Sequence, residues 1–394
     1  MRFTRRTGIR TRGARAVRTP NVAAPAPNPI ALFATRRITS MRAFIAVGRS
    51  ALLHTAPCSF LRKHVFENNK NGLRQNILTP TAILFLFRGL RAERRVRAAT
   101  TTGALMSYQI VTDSACNLTE ETIDAFELEI LPLTFMVDGV QHRSYLKGEK
   151  TDLRQFYTMM REGKVITTSL PNMQETETTL RRVLDAGHDV LYLGFSSALS
   201  GTYEATELLM KQLAGEYPDR TLCAVETFAA SGGEGMLVYL ACKKKEAGAS
   251  LEEVADFVRE TRDHLCHWFT VDDLMFLFRG GRVSRTSAWA GTLLNIKPVM
   301  HVDNEGHLVP VEKARGRRKA IKALVDHMEQ TAIDPANQTI FITHGDCIED
   351  VVLLESEIKK RLGCTEFVVN YVDPVIGAHS GPGTLALFFV GEHK

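Results

Sequence analysis

No two of the chain's seven cysteines stand at CxxC spacing, and no HExxH occurs. Cys58, Cys116, Cys223, Cys242, Cys266, Cys347 and Cys364 are scattered and odd in number. They read as reduced, mostly buried thiols of a cytoplasmic protein, which excludes a disulfide framework. His264, Cys266 and His267 fall close together, but no second ligand cluster accompanies them, so no metal is expected. Long apolar runs are missing too. The run over 77–87 contains Pro80 and has about half of the ~20 residues that a membrane-spanning helix needs. A P-loop is also lacking: Gly148-Glu149-Lys150-Thr151 and the glycine-rich stretch 231–235 both depart from that signature.

Acid is scarce in one part of the chain. Residues 1–105 hold 20 of the 49 Lys and Arg but only Glu67 and Glu93 as acids, a net +18. The overall charge of +5 therefore leaves −13 on the remainder. That acidic balance argues against a nucleic-acid surface there. Residues 1–105 are rich in Arg, Ala, Thr and Pro and show no sustained helical or alternating pattern. They are expected to be a disordered basic extension or a stretch included through a start-site error, a transit peptide being the weaker alternative. Met106 opens a clean apolar strand.

From Met106 onward, strands and helices alternate. Strands are expected at 109–112, 129–137, 190–195 and 221–226. Helices are expected after a cap near Asn117 and over 153–162, 172–184, 203–213 and 236–247. Such strand–helix units imply a parallel sheet covered by helices. After about Trp268 the pattern changes. A strand pair, 297–302 and 308–312, is joined through Asp303-Asn304-Glu305-Gly306. A helix at 319–330, a strand at 339–343, a helix at 350–362 and strands at 366–372 and 385–390 follow. The expected architecture is α/β with two domains: a parallel-sheet α/β domain over 106–268 and a mixed α+β domain over 269–394. A ligand is expected between them, since clefts between domains are common sites.

The residues after Asp189 carry the strongest chemical signal. The apolar run 190–195 breaks into Ser196-Ser197-Ala198-Leu199-Ser200-Gly201-Thr202, and a helical pattern follows. Backbone N–H groups at a helix start are unpaired and attract an anion. Four hydroxyls crowd that point, more than a cap requires. Thr167-Thr168-Ser169-Leu170-Pro171 forms a similar cluster. There Asn172, with Glu175 three residues on, supplies a cap of its own, so Thr168 and Ser169 are surplus. In open α/β sheets ligands bind beyond the carboxyl ends of the strands, so both loops are expected to converge on one anion. Stretch 231–235 is expected to be a tight turn that lets a helix approach the sheet. Arg282 in Arg279-Gly280-Gly281-Arg282 could neutralise an anion or form a structural salt bridge. The run Lys313–Lys319 suits a solvated helix start. His379 lies among small residues with room beside it for a ligand.

Together these segments resemble the DegV family of fatty-acid-binding proteins. The resemblance rests on Val111-Thr112-Asp113-Ser114, Thr168-Ser169-Leu170-Pro171, residues 196–203, Gly280-Gly281-Arg282, Leu294-Asn295-Ile296-Lys297-Pro298, Lys313-Ala314-Arg315-Gly316 and His379-Ser380-Gly381-Pro382-Gly383, in that order. Each is weak alone; the ordered set is specific. Glu226-Thr227 and Leu170 depart from the usual pattern, away from the proposed carboxylate pair. The resemblance implies a long-chain fatty acid such as palmitate held between two α/β domains, with no cofactor. It also implies a non-catalytic partner of a fatty acid kinase, which would phosphorylate the presented carboxylate. On this resemblance the carboxylate ligands fall on Thr168 and Ser200, with Ser197 a rival for the second place. Ser169, Arg282 and His379 are further candidates at the head group. The alternative is a phosphotransferase or serine hydrolase acting at the same loops. Against it, no Gly-x-Ser-x-Gly elbow surrounds either serine and no kinase signature occurs.

Overall fold

The computed structural model describes residues 107–145, 147–148, 151–284 and 295–394. The expected extension over 1–105, the run over 77–87, Cys58, Met106 and Leu294 lie outside the described residues.

Strand β1 (Tyr108–Asp113) leads into helix α1 (Glu120–Ala125), then strands β2 (Glu129–Leu131), β3 (Thr134–Val137) and β4 (Val140–Arg143). Helix α2 (Leu153–Arg161), strand β5 (Ile166–Ser169) and helix α3 (Met173–Asp185) follow. Next come β6 (Asp189–Gly194), α4 (Thr202–Glu216), β7 (Leu222–Glu226), α5 (Gly232–Glu246) and α6 (Leu251–Thr261). Then come β8 (Leu265–Thr270), α7 (Met275–Arg279), β9 (Ile296–Val302), β10 (Leu308–Arg315) and α8 (Arg317–Thr331). The chain closes with β11 (Thr339–His344), α9 (Ile348–Leu362), β12 (Glu366–Tyr371), α10 (Pro374–Ser380) and β13 (Leu385–Val390).

The architecture is α/β. A four-stranded sheet runs β2-β1-β6-β7 with every pairing parallel. A six-stranded mixed sheet runs β10-β9-β8-β13-β11-β12, antiparallel except between β11 and β12. A small antiparallel sheet, β4-β3-β5, stands apart from both. The buried parallel strands, such as β6 with all six residues inside, read as continuous apolar runs.

Several expectations are corrected. The single strand over 129–137 is two strands in different sheets, because Pro132 between them has no N–H to continue a ladder. The cap of α1 is Thr119, whose Oγ1 accepts from the Thr122 N–H at 3.3 Å. Asn117 instead adopts a left-handed backbone (φ 50°), and its Oδ1 accepts from Ser231 Oγ at 2.7 Å. The sequence pattern predicts no element at β4, α6, β8, α7 or α10. The boundary expected at 268/269 falls inside β8, which is hydrogen-bonded to β9 and β13.

Stretch 231–235 is no turn but the cap and first turn of α5. Every residue of α5 from Gly232 to Val238 is buried, as expected of a helix start covered on several sides, and Lys243, Lys244 and Lys245 occupy its last turn. It packs on β1 and β6 and also on β8, β11 and β13, and one apolar cluster includes Ile110 and Leu193 together with Phe341 and Phe388. Glycine makes that approach feasible. A Cβ at Gly232 would come within 2.8 Å of the Phe388 ring, and one at Gly233 within 2.7 Å of His267 Nε2. At Gly235 it would run into the Cys116 carbonyl oxygen, a backbone atom that cannot swing aside. Gly235→Ala should therefore lower stability by about 1–3 kcal/mol, despite alanine's better helix propensity, read as a lower urea midpoint.

Candidate functional site

A cavity of about 370 Å³ lies among these elements, within the ~300–1,000 Å³ range usual for small-molecule sites. Much of its wall is apolar: Leu133, Phe195, Leu277, Val302, Val375 and Phe388 all face it. The six-stranded sheet supplies one side by strand alternation. His267 and Phe269 of β8, with Ala386 and Phe388 of β13, line the cavity. Cys266, Trp268, Leu385, Leu387 and Phe389 point to the opposite core.

Polar groups from four separate segments gather at one part of the lining. Thr168, on β5, is hydrogen-bonded through Oγ1 to His379 Nε2 at 2.7 Å. His379 is on the last turn of α10, a short helix started by Asp373, whose carboxylate accepts from the Val375 and Ile376 N–H groups. Gly280 packs so close to His379 that a Cβ there would collide with Nδ1. Arg282 follows two residues later. Its Nε donates to the Leu199 carbonyl at 3.0 Å and its Nη1 to the Gly280 carbonyl. Leu199 belongs to the serine loop, and its neighbour Ser200 also lines the cavity. Ser200 Oγ accepts from the Thr202 N–H at 3.3 Å and is bonded to Thr202 Oγ1 at 2.9 Å.

Electrostatically this end is positive and short of acid. Arg282 is half-buried, and no carboxylate among the described residues pairs with it. Burial pulls its pKa down. Burial, and after it the Arg282 charge, pushes the His379 pKa down to about 4, so the ring is neutral near pH 7.

The structure thus brings Thr168, Ser200, Arg282 and His379 together. Ser169 also lines the cavity, with its Oγ bonded to Thr134 Oγ1 at 2.5 Å. Ser197 is not among the lining residues; its N–H donates to Glu226 Oε1 at 2.8 Å. The expectation that both hydroxyl loops sit at carboxyl ends of one parallel sheet is corrected, since Thr168 lies in the separate antiparallel sheet. Only the serine loop, after β6, has that position.

Support behind the site is polar and buried. Asp113, at the carboxyl end of β1, accepts from the Phe195 N–H and the Tyr192 hydroxyl, each at 3.2 Å, and from the Ala115 N–H at 3.0 Å. Those bonds fix the start of the serine loop. Burial, opposed by these donors, moves the Asp113 pKa up to about 6. Sequence reasoning missed His267 as a lining residue, along with the faces of β8 and β13. Strands buried on both sides carry no alternation that marks the cavity face. Among the described residues no group of three or more His, Cys, Asp or Glu could hold a metal ion. His264 and Cys266 bond to main-chain oxygens near the C-terminus, away from His267. No helix among the described residues is long and apolar enough to cross a membrane.

Comparison with known proteins agrees with this layout. Residues 107–392 match the family described as "Uncharacterised protein, DegV family". A DegV domain-containing protein of Clostridium perfringens is 39% identical over 290 residues, covering 74% of this chain and 99% of the relative. A solved DegV family protein from Thermus thermophilus, titled for its fatty acid binding, is 31% identical with a TM-score of 0.65, over 73% of this chain and all of that one. A DegV lipid binding protein from Thermotoga maritima is 27% identical with a TM-score of 0.64, over the same shares. On the extent of these matches, the chain belongs to the DegV family.

Proposed function

We propose that this protein binds a long-chain fatty acid such as palmitate in the cavity, with the carboxylate on Thr168 and Ser200. Arg282 and His379 complete the head-group site, and Ser169 stands behind Thr168. The observation that carries this reading is the half-buried Arg282 guanidinium, unpaired with any carboxylate among the described residues, in the lining of a largely apolar cavity. A buried cation is costly unless paired, and an acyl carboxylate supplies the missing charge. The fatty acid and lipid named for the Thermus and Thermotoga relatives support the same ligand class. Burying the tail contributes ~0.8 kcal/mol per CH₂, on the order of 12 kcal/mol gross for ~16 carbons, before ordering and association reduce it.

In this reading the chain is a non-catalytic carrier, working without a cofactor in the cytoplasm. A fatty acid kinase supplies the phosphoryl chemistry on the presented carboxylate. The part that carries the parallel sheet and the part that carries the six-stranded sheet, with the whole of β8 in the second, act as two domains around the ligand. The serine-enzyme alternative is disfavoured by geometry: His379 Nε2 bonds Thr168 and the Ser200 hydroxyl bonds Thr202, so His379 is not paired with Ser200.

Native mass spectrometry after gentle purification should find an acyl chain on the wild type. A wild type that carries none, and takes up none when offered palmitate, would sink the reading. Thr168→Ala and Ser200→Ala should each weaken palmitate binding by about 2- to 10-fold, the worth of one hydrogen bond. Arg282→Gln should cost about 10- to 100-fold, because it removes a bond to a charged group. NMR titration of His379 should give a midpoint near 4 without ligand. A bound carboxylate offsets the Arg282 charge and favours the imidazolium, so loading with palmitate should move that midpoint upward. A midpoint unchanged by palmitate would place the head group elsewhere.

A further inference from the structure

We infer that the cavity holds a second polar subsite, at His267, which recognises a hydroxyl carried in the interior of the acyl chain. The inference rests on the fatty-acid reading above and names a class of ligand within it.

His267 is 1% exposed and lines the cavity, yet neither Nδ1 nor Nε2 has a hydrogen-bond partner. Buried polar side-chain atoms are normally satisfied, so two open nitrogens on one ring call for an explanation. Its neighbours supply none. The ring meets Phe388 edge to face at 5.5 Å. Its Nε2 edge packs on Gly233, whose N–H donates to the Ala230 carbonyl. His301 Nδ1 bonds the His267 main-chain carbonyl and leaves the ring untouched.

The chemistry selects a neutral partner. Burial first, then the Lys394 and His301 charges, hold the His267 pKa well below the usual value, so the ring is uncharged. A neutral imidazole carries a donor on one nitrogen and an acceptor on the other, and a hydroxyl, able to accept or to donate, matches whichever of the two it meets. Ser231, also in the lining, bonds Asn117 Oδ1 at 2.7 Å and Thr343 Oγ1 at 2.8 Å, which leaves acceptor capacity on its oxygen.

Position separates this subsite from the carboxylate end. His267 pairs across the ladder with Phe388. Phe388 lies four residues along β13 from Thr384, about 14 Å at the usual strand rise. The chain reaches Thr384 directly from His379 and the end of α10. A carboxylate held at His379 therefore places the interior or distal part of the tail, and not the head group, against His267. A plain hydrocarbon there leaves both nitrogens unpaired; a hydroxylated one pairs one of them.

The test is competition between stearic acid and a series of positional hydroxystearic acids, read by native mass spectrometry on the full chain. Wild type should favour one interior or distal hydroxyl position over stearic acid by on the order of tenfold, the worth of one buried hydrogen bond. His267→Leu should lose that preference and keep stearic acid. His267→Gln, which retains a donor and an acceptor, should restore much of it. A flat positional profile in wild type overturns the inference whether or not either variant folds, and so does an unchanged preference in His267→Leu. If stearic acid binds and the profile is flat, only this inference falls. If no acid in the series binds, the fatty-acid reading falls and this inference with it.

Discussion

A half-buried guanidinium that no carboxylate among the described residues meets constrains the rest of this molecule. Arg282 Nε and Nη1 are anchored on the Leu199 and Gly280 carbonyls. Those anchors also tie the glycine pair before it to the serine loop. Gly280 must lack a side chain for His379 to pack against it, and His379 in turn holds Thr168. One unpaired charge thus connects four segments far apart in sequence. Main-chain carbonyls orient the cation without neutralising it, so an anion remains attractive at that point.

Behind this arrangement stands a set of buried polar groups whose partners are almost all N–H and hydroxyl donors. Asp113 fixes the serine loop, and Asp373 starts the helix that carries His379 while accepting from Ser144 Oγ. Asn117 joins them: its Oδ1 accepts from Ser231 Oγ and from the Asp373 N–H at 3.3 Å. Burial raises the Asp113 and Asp373 pKa values, and the donors that each carboxylate accepts from offset only part of that rise. Among the described lining residues Arg282 is the one with a full charge. On the fatty-acid reading, an entering carboxylate meets that cation and several hydroxyls.

Much of this was legible in the residues, for reasons that can be named. The hydroxyl surpluses at Thr168 and Ser200 stood out because Asn172 already caps α3, a bond the structure contains from the Gln174 and Glu175 N–H groups. Parallel strands showed as apolar runs, and Asp303 to Gly306 marked the β9–β10 turn. Other features were hidden. Pro132 splits a run that looks like one strand, and only tertiary pairing sends its halves to different sheets. The glycines at 232, 233 and 235 looked like a loop because a helix rarely starts on three of them. The reason they are tolerated is the contact they permit with Phe388, His267 and the Cys116 carbonyl, partners distant in sequence. Ser197 and Ser200 could not be separated from spacing alone. The Glu226 side chain on the Ser197 N–H is a long-range contact that no local pattern announces.

The cavity's two kinds of lining also divide the energetics. On the fatty-acid reading, the apolar wall contributes in proportion to buried tail, about 0.8 kcal/mol per CH₂, and is indifferent to the state of the head group. The head-group bonds are individually worth about 1 kcal/mol, more for Arg282. Affinity therefore resides mainly in the tail, and the head-group contacts can be partly exchanged during transfer without release of the chain. The residues proposed for those contacts fit this demand: Thr168 and Ser200 are short hydroxyls, and Arg282 is held by the Leu199 and Gly280 carbonyls. A wall that supplies affinity by area alone discriminates weakly between tails of equal length. Polar atoms set into that wall add selectivity, and among the described lining residues His267 leaves both ring nitrogens without a hydrogen-bond partner.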